Sequence, residues 1–199
     1  MYGLPQRTET NKPLHKTKVF EKFAFTAAQR EAFDADVSRM VISHVIAEST
    51  IPTIKAGKEI TDFYVITVQM KRKEYDAKNI TLLTKLIPRK ILFILQYEEQ
   101  AQLAIYHTKL ICSDWQQCDT LNVPLEGLDL DAVWENIVTS VGSITIQEGN
   151  TLAEQIVADD ARAKLMKQIE QLEKRCRAEM QPRKKLELYS KIQSIKQLL

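Results

Sequence analysis

The 199 residues carry a net charge of +2, are 44% hydrophobic and 27% charged, and so have the composition of a soluble globular protein with a buried core. The longest purely apolar run, Ile91 to Leu95, is too short to cross a bilayer, and the opening residues MYGLPQRTET lack the basic-then-apolar pattern of a signal peptide. From the short apolar run we expect no membrane association. Because the three cysteines are few and odd in number, we expect a cytoplasmic protein with reduced thiols.

The first fifty residues predict an arm followed by a helix. Residues 1–25 contain two prolines and little periodicity, so we expect an extended N-terminal arm whose apolar side chains hold it to the body. In TAAQREAFDADVSRMVISHVIAES, apolar residues recur at spacings of three and four behind the capping-box pattern of Thr26 and Gln29. This stretch predicts an amphipathic helix. His44 lies on its apolar face, where a histidine is more often a core residue than a ligand.

The next ninety residues predict strands that alternate with helices. ITDFYVITVQM and ILFILQY predict buried strands, and NITLLTKLIP between them predicts a short helix that ends before Pro88. AQLAIYHTKLI predicts a third strand, which follows ILFILQY closely enough to form an antiparallel hairpin with it. We expect a further strand within WQQCDTLNVPL and a helix over GLDLDAVWENIVTSV. Residues 26–150 thus predict an α+β body, in which helices pack on a small mixed β-sheet.

Residues 151–199 predict a coiled-coil-like helical hairpin. Apolar residues step by threes and fours in two seams of different phase: Leu165, Ile169, Leu172 and Cys176, then Leu188, Ile192, Ile195 and Leu199. The phase changes at Pro182, and proline is unfavourable inside a helix but favoured in its first turn. We therefore place the turn of the hairpin there, with a single kinked helix as the alternative. We expect the seam residues to form an interface with a protein partner or with a second copy of the chain.

The tail is also the basic part of the chain. Residues 161–199 contain eleven Lys and Arg against four Asp and Glu, a net charge of +7, which leaves residues 1–160 at −5. Six of these cations crowd around Pro182 and are candidate contacts to nucleic-acid phosphates: Lys174, Arg175, Arg177, Arg183, Lys184 and Lys185. A solvated helix face explains the same charges, and no aromatic residues alternate with them to stack on bases.

The motifs of several enzyme and cofactor classes are missing. The five glycines are scattered, so there is neither a dinucleotide-binding motif nor a phosphate loop, and the cysteines and histidines lack the spacing of zinc ligands. We expect no cofactor and no bound metal. The best enzymatic pattern is EITDFYVITVQMKRKEYD, because metal-dependent nucleases use an acidic residue and then a strand that ends in carboxylate-x-lysine.

In this pattern Asp62 opens the strand and Gln69-Met70-Lys71 closes it. Gln69 stands where a carboxylate belongs, and a neutral amide binds Mg²⁺ more weakly. Ordinary polar residues at the ends of a strand are therefore the preferred interpretation of Asp62, Gln69 and Lys71, and a divergent nuclease is the alternative.

Stretches distributed along nearly the whole chain resemble one bacterial family, called domain of unknown function 4391. The stretches are YGLPQRTETNKPLHKTKVFEKF, EITDFYVITVQMK, IPRKILFILQY, PLEGLDLDAVWENIV and IEQLEKRCRAEMQPRKKLELYSKI. Members tend to be encoded beside helicases and DNA methyltransferases, as in restriction-like defence clusters, so the resemblance implies an accessory subunit of such a system. It implies no catalytic residue. At the tip of the hairpin, MQPRKK replaces the family's more usual Gln-aromatic-Asn stretch, so no role is carried over to the tip residues.

Together these observations favour a non-catalytic accessory protein of a DNA-processing or anti-phage defence system, which docks through its C-terminal hairpin. The expected partner is a protein, such as a helicase or a DNA methyltransferase, or a second copy of the chain. The alternatives are the divergent nuclease and direct nucleic-acid binding through the hairpin tip.

Overall fold

The computed structural model describes residues 2–197, so Leu199 of the second predicted seam lies outside the described residues. The chain forms two compact units, residues 1–145 and residues 146–199. The first contains a mixed β-sheet with helices packed on it, and the second contains a pair of helices. The predicted α+β class is confirmed. No helix within residues 2–197 has both the length and the apolar character that a membrane span requires.

One mixed sheet holds the seven strands found in the described residues. Six of them lie side by side in chain order: β1 (Glu9–Pro13), β2 (Val37–Ala47), β3 (Asp62–Met70), β4 (Lys90–Tyr97), β5 (Gln100–Tyr106) and β6 (Leu110–Cys112). A short strand β7 (Gln116–Gln117) also pairs with β5. Neighbours are antiparallel except β3 and β4, which are parallel and are connected by the crossover helix α3 (Ala77–Thr84). The predicted antiparallel hairpin of β4 and β5 is confirmed.

Helices cover the two faces of the sheet unequally. On one face, α1 (Lys16–Phe23), α2 (Ala27–Asp36) and α3 supply buried side chains such as Val19, Phe33 and Leu83, which join Ile66 and Phe93 of the sheet in one apolar cluster. On the other face, α4 (Leu130–Gly142) places Trp134 against Phe63 of β3, with ring centroids 5.2 Å apart. Alternate side chains of a strand point to opposite faces, so each central strand contributes to both layers.

The predicted helix of residues 26–49 is wrong after Asp36. Its capping box forms as expected, but α2 ends at Asp36 and the chain continues directly as strand β2. The β-branched residues of VSRMVISHVIA favour a strand. Two register shifts in the pairing of β2 with β3 also break the alternation of buried and exposed positions, and they leave apolar residues at the spacing of a helix.

The N-terminal segment is more regular than an extended arm. It contains β1 at the edge of the sheet and the helix α1. Its apolar side chains are buried, as expected, because α1 and the residues around it pack onto the body: Tyr2, Leu4, Val19 and Phe25.

The second unit contains the predicted helical hairpin. Helix α5 (Leu152–Ala178) begins with a capping box between Thr151 and Glu154, and helix α6 (Pro182–Lys196) has proline in its first turn. Only residues 179–181 separate the two helices. The turn therefore lies immediately before Pro182, as the change of seam predicts.

Candidate functional site

The two strand-end residues of the nuclease alternative lie far apart. Asp62 is the first residue of β3, and Lys71 follows its last residue. At about 3.3 Å per residue, nine steps along the strand separate their Cα atoms by roughly 30 Å. The carboxylate of Asp62 instead pairs with Arg89, with Oδ1 3.2 Å from Nε. Asp62 and Lys71 therefore cannot hold one metal ion between them.

Gln69 lies in a groove on the sheet face that α4 covers only in part. The groove has a volume of about 420 Å³. Arg39 of β2 is the register partner of Gln69, and Gln69 is in turn the register partner of Gln96 in β4. These three side chains form a row across three adjacent strands, and all three line the groove. We call them the donor row.

Ser43 and His44 line the same groove, four and five residues along β2 from Arg39. Consecutive residues of a regular strand point to opposite faces, but the register shift between Ile42 and His44 lets both side chains face the groove. The Ser43 hydroxyl donates to the carbonyl of Val65 and accepts from the Thr67 hydroxyl, at 3.1 and 3.0 Å. Polar groups thus follow the groove from the donor row to His44.

The imidazole of His44 is buried without a hydrogen-bond partner. It is 5% exposed, and neither Nδ1 nor Nε2 has a partner among the described residues. Burial lowers the pKa of His44 below its ordinary value of 6.5, and the charge of nearby Glu9 opposes the shift only in part. His44 is therefore neutral at pH 7, with one donor and one acceptor nitrogen unused.

Asp36, which the sequence analysis did not single out, is the most completely bonded buried carboxylate of the described chain. It is fully buried, and its Oδ1 accepts from Arg72 Nε at 2.6 Å. Its Oδ2 accepts from the Asp76 N–H at 2.9 Å and from Asn79 Nδ2 at 2.7 Å. Since these contacts join the end of α2 to the loop after β3 and to the first turn of α3, the role of Asp36 is to fix that junction.

Between residues 161 and 196 of the hairpin, the seam residues are the least exposed apolar side chains. Ile169 and Ile192 are buried, and the other described seam residues are half-buried: Leu165, Leu172, Cys176, Leu188 and Ile195. Polar contacts join the two helices beside this seam, where Lys196 pairs with Glu173 at 2.9 Å and the Cys176 thiol approaches the carbonyl of Lys185. The seam therefore holds α5 and α6 together, and it offers a partner less surface than the outer faces do.

The outer faces of the hairpin combine exposed apolar side chains with unpaired cations. Of the six cations at the tip, Lys174, Arg177 and Arg183 form ion pairs one turn away within their own helices. Arg175, Lys184 and Lys185 have no ion pair within the described residues. Met180, in the turn itself, is 95% exposed. The predicted tip residues thus lie at the end of α5 and at the start of α6, on either side of the turn that contains Met180.

One protein-family model, described as Domain of unknown function (DUF4391), matches residues 2–199. The chain belongs to this family. No curated protein and no solved structure matches it. The resemblance found in the sequence is therefore confirmed for essentially the whole DUF4391 chain, both compact units included.

Within residues 2–197 of this DUF4391 protein, no three His, Cys, Asp or Glu side chains lie close enough together to form a metal site. The features that the sequence analysis missed are the donor row, the Ser43–His44 bulge and Asp36. Two of them depend on strand β2, which was predicted as a helix. Asp36 carried a usable signal, because it is the last residue before a β-branched run.

Proposed function

We propose that this DUF4391 protein is a non-catalytic accessory subunit of a bacterial DNA-processing or anti-phage defence system, and that it docks onto a protein partner through its C-terminal hairpin. One observation carries the proposal. Seven large hydrophobic side chains are exposed among residues 2–197, and five of them lie on the hairpin: Val157, Met166, Met180, Leu186 and Tyr189. Exposed apolar surface concentrated on one small element is typical of an interaction site.

The charge of the hairpin favours an acidic partner. The hairpin helices contain six cations that have no ion pair within the described residues: Arg162, Lys167, Arg175, Lys184, Lys185 and Lys191. A surface that carries Asp and Glu beside apolar residues would neutralise these cations and cover the exposed side chains together. Two hairpins of the same excess charge repel each other, so direct pairing of two hairpins is the less favourable arrangement.

The assignment to a DNA-processing or defence system is proposed from the resemblance to the family, whose members tend to be encoded beside helicases and DNA methyltransferases. A non-catalytic role is supported by the wide separation of Asp62 and Lys71 and by the pairing of Asp62 with Arg89. We therefore propose, as candidate partners, any helicase or DNA methyltransferase that is encoded beside this protein in its own genome.

Co-expression with those neighbours tests the proposal. We expect a stoichiometric complex by size-exclusion chromatography with light scattering, and we expect Leu186→Glu and Tyr189→Glu to abolish it while the melting temperature stays unchanged. Leu128→Glu is the matched control, because Leu128 is 89% exposed but lies in the first unit. Retention of the complex by both hairpin variants would rule out this docking surface, and a concentration-dependent dimer of the protein alone would indicate a second copy as its occupant.

Direct binding of nucleic acid by the tip is a second candidate, favoured by the three unpaired cations Arg175, Lys184 and Lys185. Phosphate contacts give affinity that falls steeply with salt. If the tip binds DNA, replacing these three residues with alanine should abolish a salt-sensitive electrophoretic shift. Binding that the triple variant leaves unchanged argues against the tip.

A further inference from the structure

The groove on the sheet of the first unit has the features of a binding site. Arg39, Gln69 and Gln96 of the donor row present N–H groups to it, and none of the three has a side-chain hydrogen bond or ion pair within the described residues. With adjacent strands about 4.8 Å apart, the row spans roughly 10 Å. A guanidinium flanked by amides is an arrangement that binds phosphate or carboxylate oxygens.

The opposite end of the groove offers different chemistry. The unpaired nitrogens of His44 are buried there, and an unsatisfied buried polar group is costly unless something binds to it. Tyr2 lines the groove too, and it is held in place because its carbonyl accepts from the N–H of Val123 at 3.0 Å. Glu9 is the register partner of His44, so this end is acidic whereas the donor row is basic. A planar heterocycle with hydrogen-bonding edges suits this end.

The middle of the groove is lined by Val41 and Thr67, one apolar and one hydroxyl-bearing residue. Along the groove, Tyr2 and His44 therefore lie at one end, Val41 and Thr67 lie in the middle, and the donor row lies at the other end. We propose that this groove binds a nucleoside 5′-phosphate, with the base beside Tyr2 and His44, the sugar over Thr67 and the phosphate on the donor row. The volume of about 420 Å³ lies in the range of small-molecule sites. The acidic Glu9 end repels a phosphate, and this repulsion fixes the orientation of the ligand.

Two sources present this chemistry, a free nucleotide and the phosphorylated 5′ end of a nucleic-acid strand. Isothermal titration of the full chain with the four ribonucleoside 5′-monophosphates, the four matching nucleosides and inorganic phosphate alone tests the shared chemistry. We expect at least one monophosphate to bind at least about tenfold more tightly than its nucleoside or phosphate, because only the nucleotide engages both ends. A trinucleotide with and without a 5′-phosphate then distinguishes the sources. Binding of the phosphorylated trinucleotide assigns a strand end, and binding of the monophosphate alone assigns a free nucleotide.

Variants at the two ends decide whether binding occurs in this groove. We expect Arg39→Met to weaken nucleotide binding by about 10- to 100-fold, since it removes charge-assisted hydrogen bonds but keeps an apolar stem. His44→Phe should weaken nucleotide binding but not the residual binding of phosphate, because it removes only the imidazole nitrogens. Lys12→Met is the control, as Lys12 is an exposed cation of β1 that does not line the groove.

A cooperative thermal melt verifies the fold of each variant, and Arg39→Met alone suffices as the test if His44→Phe does not fold. The proposal is overturned if no monophosphate binds with a dissociation constant below about 1 mM. It is also overturned if Arg39→Met binds the nucleotide as tightly as Lys12→Met does.

Discussion

The buried carboxylate of Asp36 gives the sharpest test of the fold of the first unit. Its two oxygens accept from the guanidinium of Arg72, the backbone N–H of Asp76 and the side-chain amide of Asn79. Asp36→Asn replaces one oxygen with an NH₂ group. The new NH₂ group is a donor that faces another N–H donor, so one hydrogen bond is lost. The ion pair with Arg72 is lost too.

The magnitude follows from burial. Breaking a buried ion pair costs about 3–5 kcal/mol. The Arg72 side chain is 56% exposed and regains water when its partner is removed, which lowers the cost. The backbone N–H of Asp76 and the side-chain amide of Asn79 are less accessible to water, so they regain hydrogen bonds to water less readily. We therefore expect Asp36→Asn to lower the free energy of unfolding by about 2–4 kcal/mol.

Urea unfolding followed by tryptophan fluorescence measures this change, because both tryptophans, Trp115 and Trp134, lie in the first unit. With a urea dependence of about 2 kcal/mol per M, the midpoint should fall by roughly 1–2 M. Asp34→Asn is the matched control, since Asp34 forms an ion pair with Lys16 but is 46% exposed, and we expect it to cost under about 1 kcal/mol. Equal costs for the two variants would refute the structural role of Asp36.

Three further predictions concern the hairpin, the first unit and pH. Ile192→Asp, at a seam position that is 4% exposed, should reduce helicity in far-UV circular dichroism, whereas Leu186→Asp at an exposed position should not. A chain of residues 1–145 should keep a cooperative tryptophan-detected melt, because the sheet and its helices lie within it; a non-cooperative melt would contradict this. Burial lowers the folded-state pKa of His44 and of His107, so the unfolded chain binds more protons from about pH 6.5 downwards, and the urea midpoint should fall as pH drops below 6.5. His44→Gln should make this fall shallower, by at most about 1.4 kcal/mol per pH unit.

Much of the fold is visible in the sequence because local chemistry and tertiary packing agree there. The runs that form β3 and β4 are apolar on both sides, as strands covered on two faces must be. In the hairpin, Pro182 and the change of seam phase identify the same turn. Where the periodicity, the propensity and the breaking residues point to one structure, a single sequence is sufficient.

Strand β2 is where these signals disagree, and because four of its residues line the candidate groove, the sequence alone does not reveal that groove. The helical spacing of its apolar residues outweighed their β-branched character, although the spacing comes from two register shifts that only the pairing with β3 reveals. As a consequence, the sequence predicts His44 on the apolar face of a helix and gives no indication that Arg39 lies beside Gln69. A bulge is a property of two strands together, so no pattern within one strand identifies it.

The polar groove nevertheless leaves a trace in the sequence of the central strands. On the face that α4 covers in part, β3 presents Phe63 and Val65 and then Thr67 and Gln69. Strand β4 changes in the same direction along this face, from Leu92 and Ile94 to Gln96. The opposite face stays apolar along both strands, where the helices of the first layer pack on it. Within the described residues, the hydrogen bond between the Ser43 and Thr67 hydroxyls is the one contact between side chains in this polar half. The other polar side chains are unpaired, so this half of the face is available for binding. The open half of this sheet, and the outer faces of the hairpin, are the two surfaces of the described chain on which binding experiments should concentrate.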